Sequence, residues 1–225
     1  MSNVAIILGA GNGTRMKSEK SKLLLEIGSK TVIERSVDAF LSVSDIDEII
    51  VVARQQDIEI YSELLTNERI SFVIGGATRQ QSVKNAVETV DDAHLIVIHD
   101  GARPLIKCED IEKTIRSAEE FSAAAVGVYV KDTIKIVDKQ GFVESTPDRS
   151  TLFAVQTPQI FDFDLYKSAM QKADEQGLDF TDDCQLVELC GGKVKMVEGS
   201  YSNIKITTPD DIALAENLLK NEGLL

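Results

Sequence analysis

Cysteine, histidine, long apolar runs and positive charge are all scarce in this chain, and each scarcity removes a class of protein. There are 3 cysteines and 2 histidines in 225 residues. Cys108, Cys184 and Cys190 are odd in number and form no C-x-x-C, so neither a disulfide framework nor a structural zinc site is expected, and the thiols should stay reduced. His94 and His99 are too few for a histidine-based metal centre. No run approaches the roughly 20 apolar residues of a membrane span, and no signal-peptide pattern opens the chain, which predicts a soluble, cytoplasmic protein with no membrane partner. Internal repeats and low-complexity stretches are also missing. With 24 Lys and Arg against 37 Asp and Glu, the net charge is −13. Such a field repels nucleic acid, so any polyanionic ligand needs a local exception.

What is present is enough for one domain spanning 1–225. The hydrophobic content of 43% supports a real core at this length. Apolar, β-branched runs recur at VAIIL (4–8), EIIVVA (48–53), SFVI (71–74), LIVIHD (95–100) and AAAVGVYV (123–130). Helical patterns lie at 32–42, 56–65, 79–90 and 109–121. Alternation of this kind predicts an α/β, Rossmann-like fold with a mainly parallel sheet and helices on both faces. Ligands then bind beyond the carboxyl ends of the strands, which singles out the loops at 9–22, 75–82 and 100–104.

The segment 131–160 breaks the alternation. Two short β-rich runs joined through DKQG read as a hairpin with a Pro-containing return, and a hairpin must pack on something to be stable. Residues 131–155 are therefore expected to form a protruding arm. Farther on, VKMVEG predicts a strand, and TTPDDIALAENLLKN predicts a helix with Thr208 as cap and Pro209 in its first turn.

The local exception to the acidic field follows the first strand. Gly9, Gly11 and Gly13 precede Arg15, Lys17, Lys20 and Lys22, opposed in that run by Glu19 alone. The glycine spacing misses G-x-G-x-x-G and no G-K-[ST] occurs, so neither a nicotinamide-dinucleotide site nor a Walker loop is indicated. Alternate glycines allow close backbone approach and amide donors facing one way, which suits a triphosphate.

LGAGNGTRMKSEKSK resembles the signature loop of sugar-nucleotide pyrophosphorylases and related nucleotidyltransferases. Together with GGATRQQSV (75–83), HDGARPL (99–105), VKDTIK (130–135), TPDRSTLFAVQTPQIF (146–161), TDD (181–183) and NIKITTPDDIALAE (203–216), it is similar to the 2-C-methyl-D-erythritol 4-phosphate cytidylyltransferase family, in the family's order and over almost the whole chain. Two departures stand out: Ser21-Lys22-Leu23 replaces the usual Pro-Lys-Gln, and DGARP replaces the commoner DAARP at Gly101. The resemblance implies CTP and a polyol phosphate as substrates, magnesium as cofactor and a homodimer joined through the arm. It places Gly9, Ala10, Gly11, Gly13, Gly75, Ser82, Asp100 and Gly101 at the nucleotide, with Gly75 and Ser82 around the base and sugar, and Asp100 by the ribose and metal.

The chemistry implied is attack of a phosphomonoester oxygen on the α-phosphorus of a nucleoside triphosphate, through a highly anionic transition state that fixed cations stabilise. Arg15 and Lys22 are assigned to the α-phosphate and leaving pyrophosphate. By resemblance, Arg149 and Lys205 hold the second substrate's phosphate, with Asp100, Arg103, Thr133 and Thr181 as further contacts. Arg149 lies on the arm and would serve a partner's pocket. Alone, Lys205 between two isoleucines would read as a surface lysine. Alternatives in the same frame are a ribitol 5-phosphate cytidylyltransferase and a catalytically silent nucleotide-binding subunit.

Overall fold

The computed structural model describes residues 2–11 and 21–224. The expected strands form as β1 (Asn3–Leu8), β4 (Glu48–Ala53), β5 (Ile70–Ile74), β6 (Leu95–Asp100) and β7 (Ala123–Tyr129). A small ribbon, β2 (Glu26–Ile27) and β3 (Lys30–Thr31), leads into α1 (Val32–Leu41); α2 (Ile58–Leu64), α3 (Arg79–Val87) and α4 (Cys108–Phe121) complete the predicted helices. The arm is β8 (Ile136–Val137) and β9 (Val143–Ser145), followed by β10 (Phe153–Asp162), α5 (Phe163–Glu175), α6 (Asp183–Leu189), β11 (Lys195–Glu198) and α7 (Pro209–Asn221).

Seven strands make the central sheet in the order β11-β7-β10-β6-β1-β4-β5. All run parallel except β10, which is antiparallel to both β6 and β7. Alternate side chains feed two cores, as strand geometry requires. Ala5, Ile7, Ile49 and Val51 pack with Phe40 of α1, Ile111 of α4 and Ala215 of α7. Val4, Ile6, Ile96 and Ile98 face the other way onto Val83 of α3, Tyr166 of α5 and Val187 of α6. This is the α/β layering the alternating pattern predicts.

Local chemistry fixes the helix starts. Thr31 and Glu34 form a reciprocal capping box at α1, and at α7 the Asp211 carboxylate accepts from the Thr208 N–H at 2.7 Å, with Pro209 in the first turn. On the arm, Asp138 Oδ1 accepts from the N–H groups of Gln140 and Phe142, while Gly141 takes φ +90°, a value that side chains disfavour.

The arm is shorter than the sequence pattern implies, because residues 153–155 already belong to β10. The reason is pairing with β7: Phe153, Ala154 and Val155 stand opposite Tyr129, Val128 and Gly127, while farther along β10 the polar Gln156, Thr157 and Gln159 are buried together with Ile160 and Phe161. Its register with β7 shifts between Val155 and Gln159, which frees Thr157 to turn toward β6.

Gly127 makes that close pairing feasible. A Cβ there would come within 2.9 Å of the Ala154 carbonyl oxygen and of side-chain atoms of Met196 and Phe153. Gly127→Ala is expected to cost about 1–3 kcal/mol through overpacking, read as a lower midpoint in urea with unchanged cooperativity.

Candidate active site

The carboxyl ends of β1, β4 and β6 stop at one edge, and the loops that follow enclose a cavity of about 640 Å³. Its lining joins Ala10 and Gly11, Lys22, the 74–79 loop, Ser82, Asp100, Lys205 and Thr207. Of the residues expected at the nucleotide, Ala10, Gly11, Gly75, Ser82 and Asp100 meet here, and the expected cations Lys22 and Lys205 join them. Gly9 and Gly101 lie directly behind the wall. The Gly9 N–H donates to Val52 O at 2.7 Å, and a Cβ on Gly9 would sit 2.9 Å from that same oxygen. Gly13 and Arg15 lie outside the described residues.

Gly75 packs so closely on the first loop that a Cβ would fall 2.3 Å from that of Ala10. Ser82, beneath it, spends its hydroxyl within the loop: it accepts from the Gly76 N–H at 3.0 Å and donates to Thr78 O at 2.9 Å. Ser82 therefore shapes the backbone that lines the cavity. Ser21 has a comparable task. Its buried hydroxyl lies 3.2 Å from the Tyr61 hydroxyl and accepts from the Leu23 N–H, so it caps the 3-10 turn Lys22–Leu24. The serine thus supplies by hydrogen bonding the stiffness that a proline would supply by its ring.

Asp100 gathers the charge. Lys205 Nζ donates to its Oδ2 at 2.6 Å, Arg79 Nε lies 3.7 Å from Oδ1, and Arg103 Nε lies 4.0 Å from Oδ2. Burial alone would raise its pKa, but Lys205, Arg79 and Arg103 outweigh burial and hold it down at about 2. Lys22 Nζ donates to Ile206 O at 2.7 Å, and Arg103 Nη1 to Asn203 O at 2.7 Å. The irregular 203–207 segment that carries Lys205 is thereby tied to two other loops, and Ile206 N–H adds a bond to Ala102 O.

Sequence reasoning assigned no role to Arg79, Arg54 or Thr207, all of which line the cavity. Arg79 carried a signal, since it is a cation inside the 75–82 loop already expected to meet the nucleotide. Conversely, Thr133, Arg149 and Thr181 do not line the cavity. Thr133 and Arg149 are exposed on the arm, where Arg149 Nη1 donates to Lys131 O at 2.8 Å. A groove of similar volume lies between α1, α4 and α7. Its cations are spent internally, in the pairs Lys30 with Asp38 and Lys107 with Glu222 and in the Arg35 bonds to Ile27 O.

Magnesium needs hard oxygen ligands and is commonly held by one or two carboxylates plus substrate phosphates. Asp100 is ionised and faces the cavity, so it fits that limited role. Among the described residues no cluster of three His, Cys, Asp or Glu side chains could cage an ion without a ligand's help.

A sheet whose carboxyl edge carries glycine loops and converging cations defines an α/β protein built to hold a nucleotide. The comparisons make this specific. The profile of the IspD family, 2-C-methyl-D-erythritol 4-phosphate cytidylyltransferase, matches residues 3–221, and the chain belongs to that family. It is 45% identical over 227 residues to the Clostridium acetobutylicum enzyme of that name, covering 99% of each chain. It is 46% identical to the Caldanaerobacter subterraneus enzyme, covering 96% of this chain and 98% of that one. A crystal structure of 4-diphosphocytidyl-2C-methyl-D-erythritol synthase from Anaerococcus prevotii superposes with a TM-score of 0.89 at 37% identity, over 97% of this chain and 96% of that one. Among the described residues no helix is long and apolar enough to cross a membrane.

Behind Asp100 lies His99, fully buried. The Arg103 carbonyl, 3.2 Å from Nε2, can only accept, so Nε2 carries the proton; Nδ1 then accepts from the Thr157 hydroxyl at 3.0 Å, which itself accepts from the Asp100 N–H. Burial lowers the His99 pKa to about 4 despite opposing pulls from Asp100 and the Arg103 carbonyl. Because an unfolded histidine titrates near 6.5, the unfolded chain binds the extra proton between about pH 6.5 and 4. This ring's contribution is present above 6.5 and is lost as pH falls, at up to roughly 1.4 kcal/mol per pH unit. Chemical denaturation across pH 4–7 should show that slope in the wild type and a flatter one in His99→Gln. An unchanged slope would assign the acid sensitivity elsewhere.

Proposed function

We propose that this chain joins CTP and 2-C-methyl-D-erythritol 4-phosphate to give 4-diphosphocytidyl-2-C-methyl-D-erythritol and pyrophosphate, the cytidylyl-transfer step of the non-mevalonate isoprenoid pathway. The observation that carries the reading is the meeting of Lys22, Arg79 and Lys205 around Asp100 over glycine loops, in a chain whose family is named for this reaction. One oxygen of the polyol phosphate forms a bond to the α-phosphorus, and the bond from that phosphorus to the bridging oxygen breaks. The electron pair leaves with pyrophosphate. Chemistry of this kind depends on positioning and on charges fixed in advance.

The loops at 9–11 and 75–77 hold the nucleotide by backbone approach. Lys22, with Arg15 of the same loop, stabilises charge at the α-phosphate and the leaving group. Lys205, now on Asp100, would meet the attacking phosphate. A divalent cation such as magnesium, held by Asp100 together with the triphosphate, would supply further neutralisation of the phosphate oxygens. Purified protein should release pyrophosphate from CTP with methylerythritol phosphate and a divalent metal; faster release with ribitol 5-phosphate would reassign the acceptor. Lys22→Ala is expected to lower kcat by about 10²–10³ with a far smaller change in KM for CTP, measured by the same release assay.

The arm carries the quaternary part of the proposal. Ile136, Val137, Phe142 and Val143 are exposed on it, an apolar surface of the kind that a second copy covers. A homodimer would bring Arg149, outside this chain's own cavity, to the partner's polyol phosphate. Arg149→Ala should weaken that substrate by about 1.5–3 kcal/mol and leave CTP binding unchanged. At polyol phosphate well below the Michaelis constant of Arg149→Ala, mixed dimers of Arg149→Ala with Lys22→Ala subunits, each slow alone under those conditions, should regain about half of the wild-type rate, since one pocket then has both residues. No recovery in verified mixed dimers would return Arg149 to its own subunit.

A further inference from the structure

Asp183 is 1% exposed and stands at the start of α6, outside the lining of the cavity. Its Oδ1 accepts from the Tyr166 hydroxyl at 2.6 Å, and its Oδ2 lies 2.6 Å from Arg79 Nη2. Its N–H donates to Gln159 Oε1 at 3.1 Å, while the same glutamine amide donates to Asp182. A buried carboxylate is costly unless paired. Here the pairing runs in one direction: from Tyr166 through Asp183 to Arg79, whose Nε is 3.7 Å from Asp100.

We propose that Asp183 is a positioning residue for nucleotide binding: anchored by Tyr166 and β10, it holds the Arg79 guanidinium beside Asp100, where Arg79 acts as a fixed cation for the nucleotide's phosphates. The inference rests on the cytidylyl-transfer reading of the cavity. Arginine has many side-chain rotamers, and a guanidinium already held in place loses less freedom when the anion arrives. Burial alone would lower the Arg79 pKa, but Asp183 and Asp100 more than reverse this, so the cation persists. Burial, followed by Asp183, pushes the Tyr166 phenol well above its ordinary value, so it remains a donor. Arg79 and Lys205 thus both line the cavity beside Asp100, where they bring positive charge to a polyanion.

A clamp that merely joins β10, α5 and α6 would use the same bonds, so the test separates the two roles. CTP affinity is measured by calorimetry for wild type, Arg79→Met, Asp183→Asn and the double variant, with thermal unfolding and pyrophosphate release on each. Loss of a charge-assisted phosphate bond should make Arg79→Met about 10- to 100-fold weaker for CTP. Asp183→Asn should fall short of that loss, and the double variant should match Arg79→Met within about 2-fold, because a residue that acts only through Arg79 has nothing further to lose. Tyr166→Phe should weaken CTP in the same direction by less, and it replaces Asp183→Asn in the comparison if that variant does not fold. Additive losses, or an Asp183→Asn protein with wild-type affinity, would overturn the proposal. A wild type that binds CTP but releases no pyrophosphate would overturn the transferase reading while the affinity comparison still decides Asp183; a wild type that does not bind CTP overturns both.

Discussion

A carboxylate held ionised among cations is the constraint on which the site depends. Asp100 ends a central strand, and its charge is tolerated there only because Lys205, Arg79 and Arg103 surround it. Each partner arrives from a different element: Arg79 from the first turn of α3, Arg103 from the turn before α4 and Lys205 from the irregular 203–207 segment. The Asp100 N–H bond to Thr157 adds β10. One residue, through its carboxylate and its backbone N–H, therefore registers four elements against each other. In a chain with net charge −13, this is also how positive charge is concentrated where an anion is to be held.

The frame behind it is stiff where stiffness serves the site. Gly75 packs against the Ala10 side chain of the 9–11 loop with no room for a Cβ of its own. His99, neutral and bonded through both ring nitrogens, braces the strand end beneath the charged cluster without adding charge of its own. Ser21 and Tyr61 fasten the end of the segment that carries Lys22. Polar groups buried close to reacting charge stabilise structure only when their partners are complete, and here Thr157 and Gln159 of β10 complete many of them.

Those same polar groups explain what the sequence hides. The parallel strands are legible because they are continuous β-branched runs, α1 because of its helical pattern at 32–42, and α7 because its start is written in Thr208 and Pro209. β10 is not, since VQTPQ presents glutamines, a threonine and a proline in place of an apolar pattern; those residues are buried through hydrogen bonds that only the tertiary fold supplies. Helices α5 and α6 lie in the stretch where the periodic reading lapses. At the site, Lys22 is legible because it closes a run of cations after a glycine loop, whereas Asp100 and Lys205 are placed by the family resemblance, and Lys205 alone would read as a surface lysine. Asp183 escapes because its partner lies about a hundred residues away, in Arg79, and no local spacing links them. Arg149 and Thr133 sit exposed on the arm, outside this chain's cavity.

The direction of β10 has a topological consequence. Parallel neighbours must be joined by a crossover that returns the chain to the opposite end of the sheet. Between β7 and the antiparallel β10, no such return is required: the chain leaves and re-enters at the same edge, the one that holds the cavity. The intervening residues are relieved of crossover duty and can lengthen, shorten or change their surface without altering the sheet's connectivity. As far as the sheet is concerned, the arm is in this sense a modular appendage.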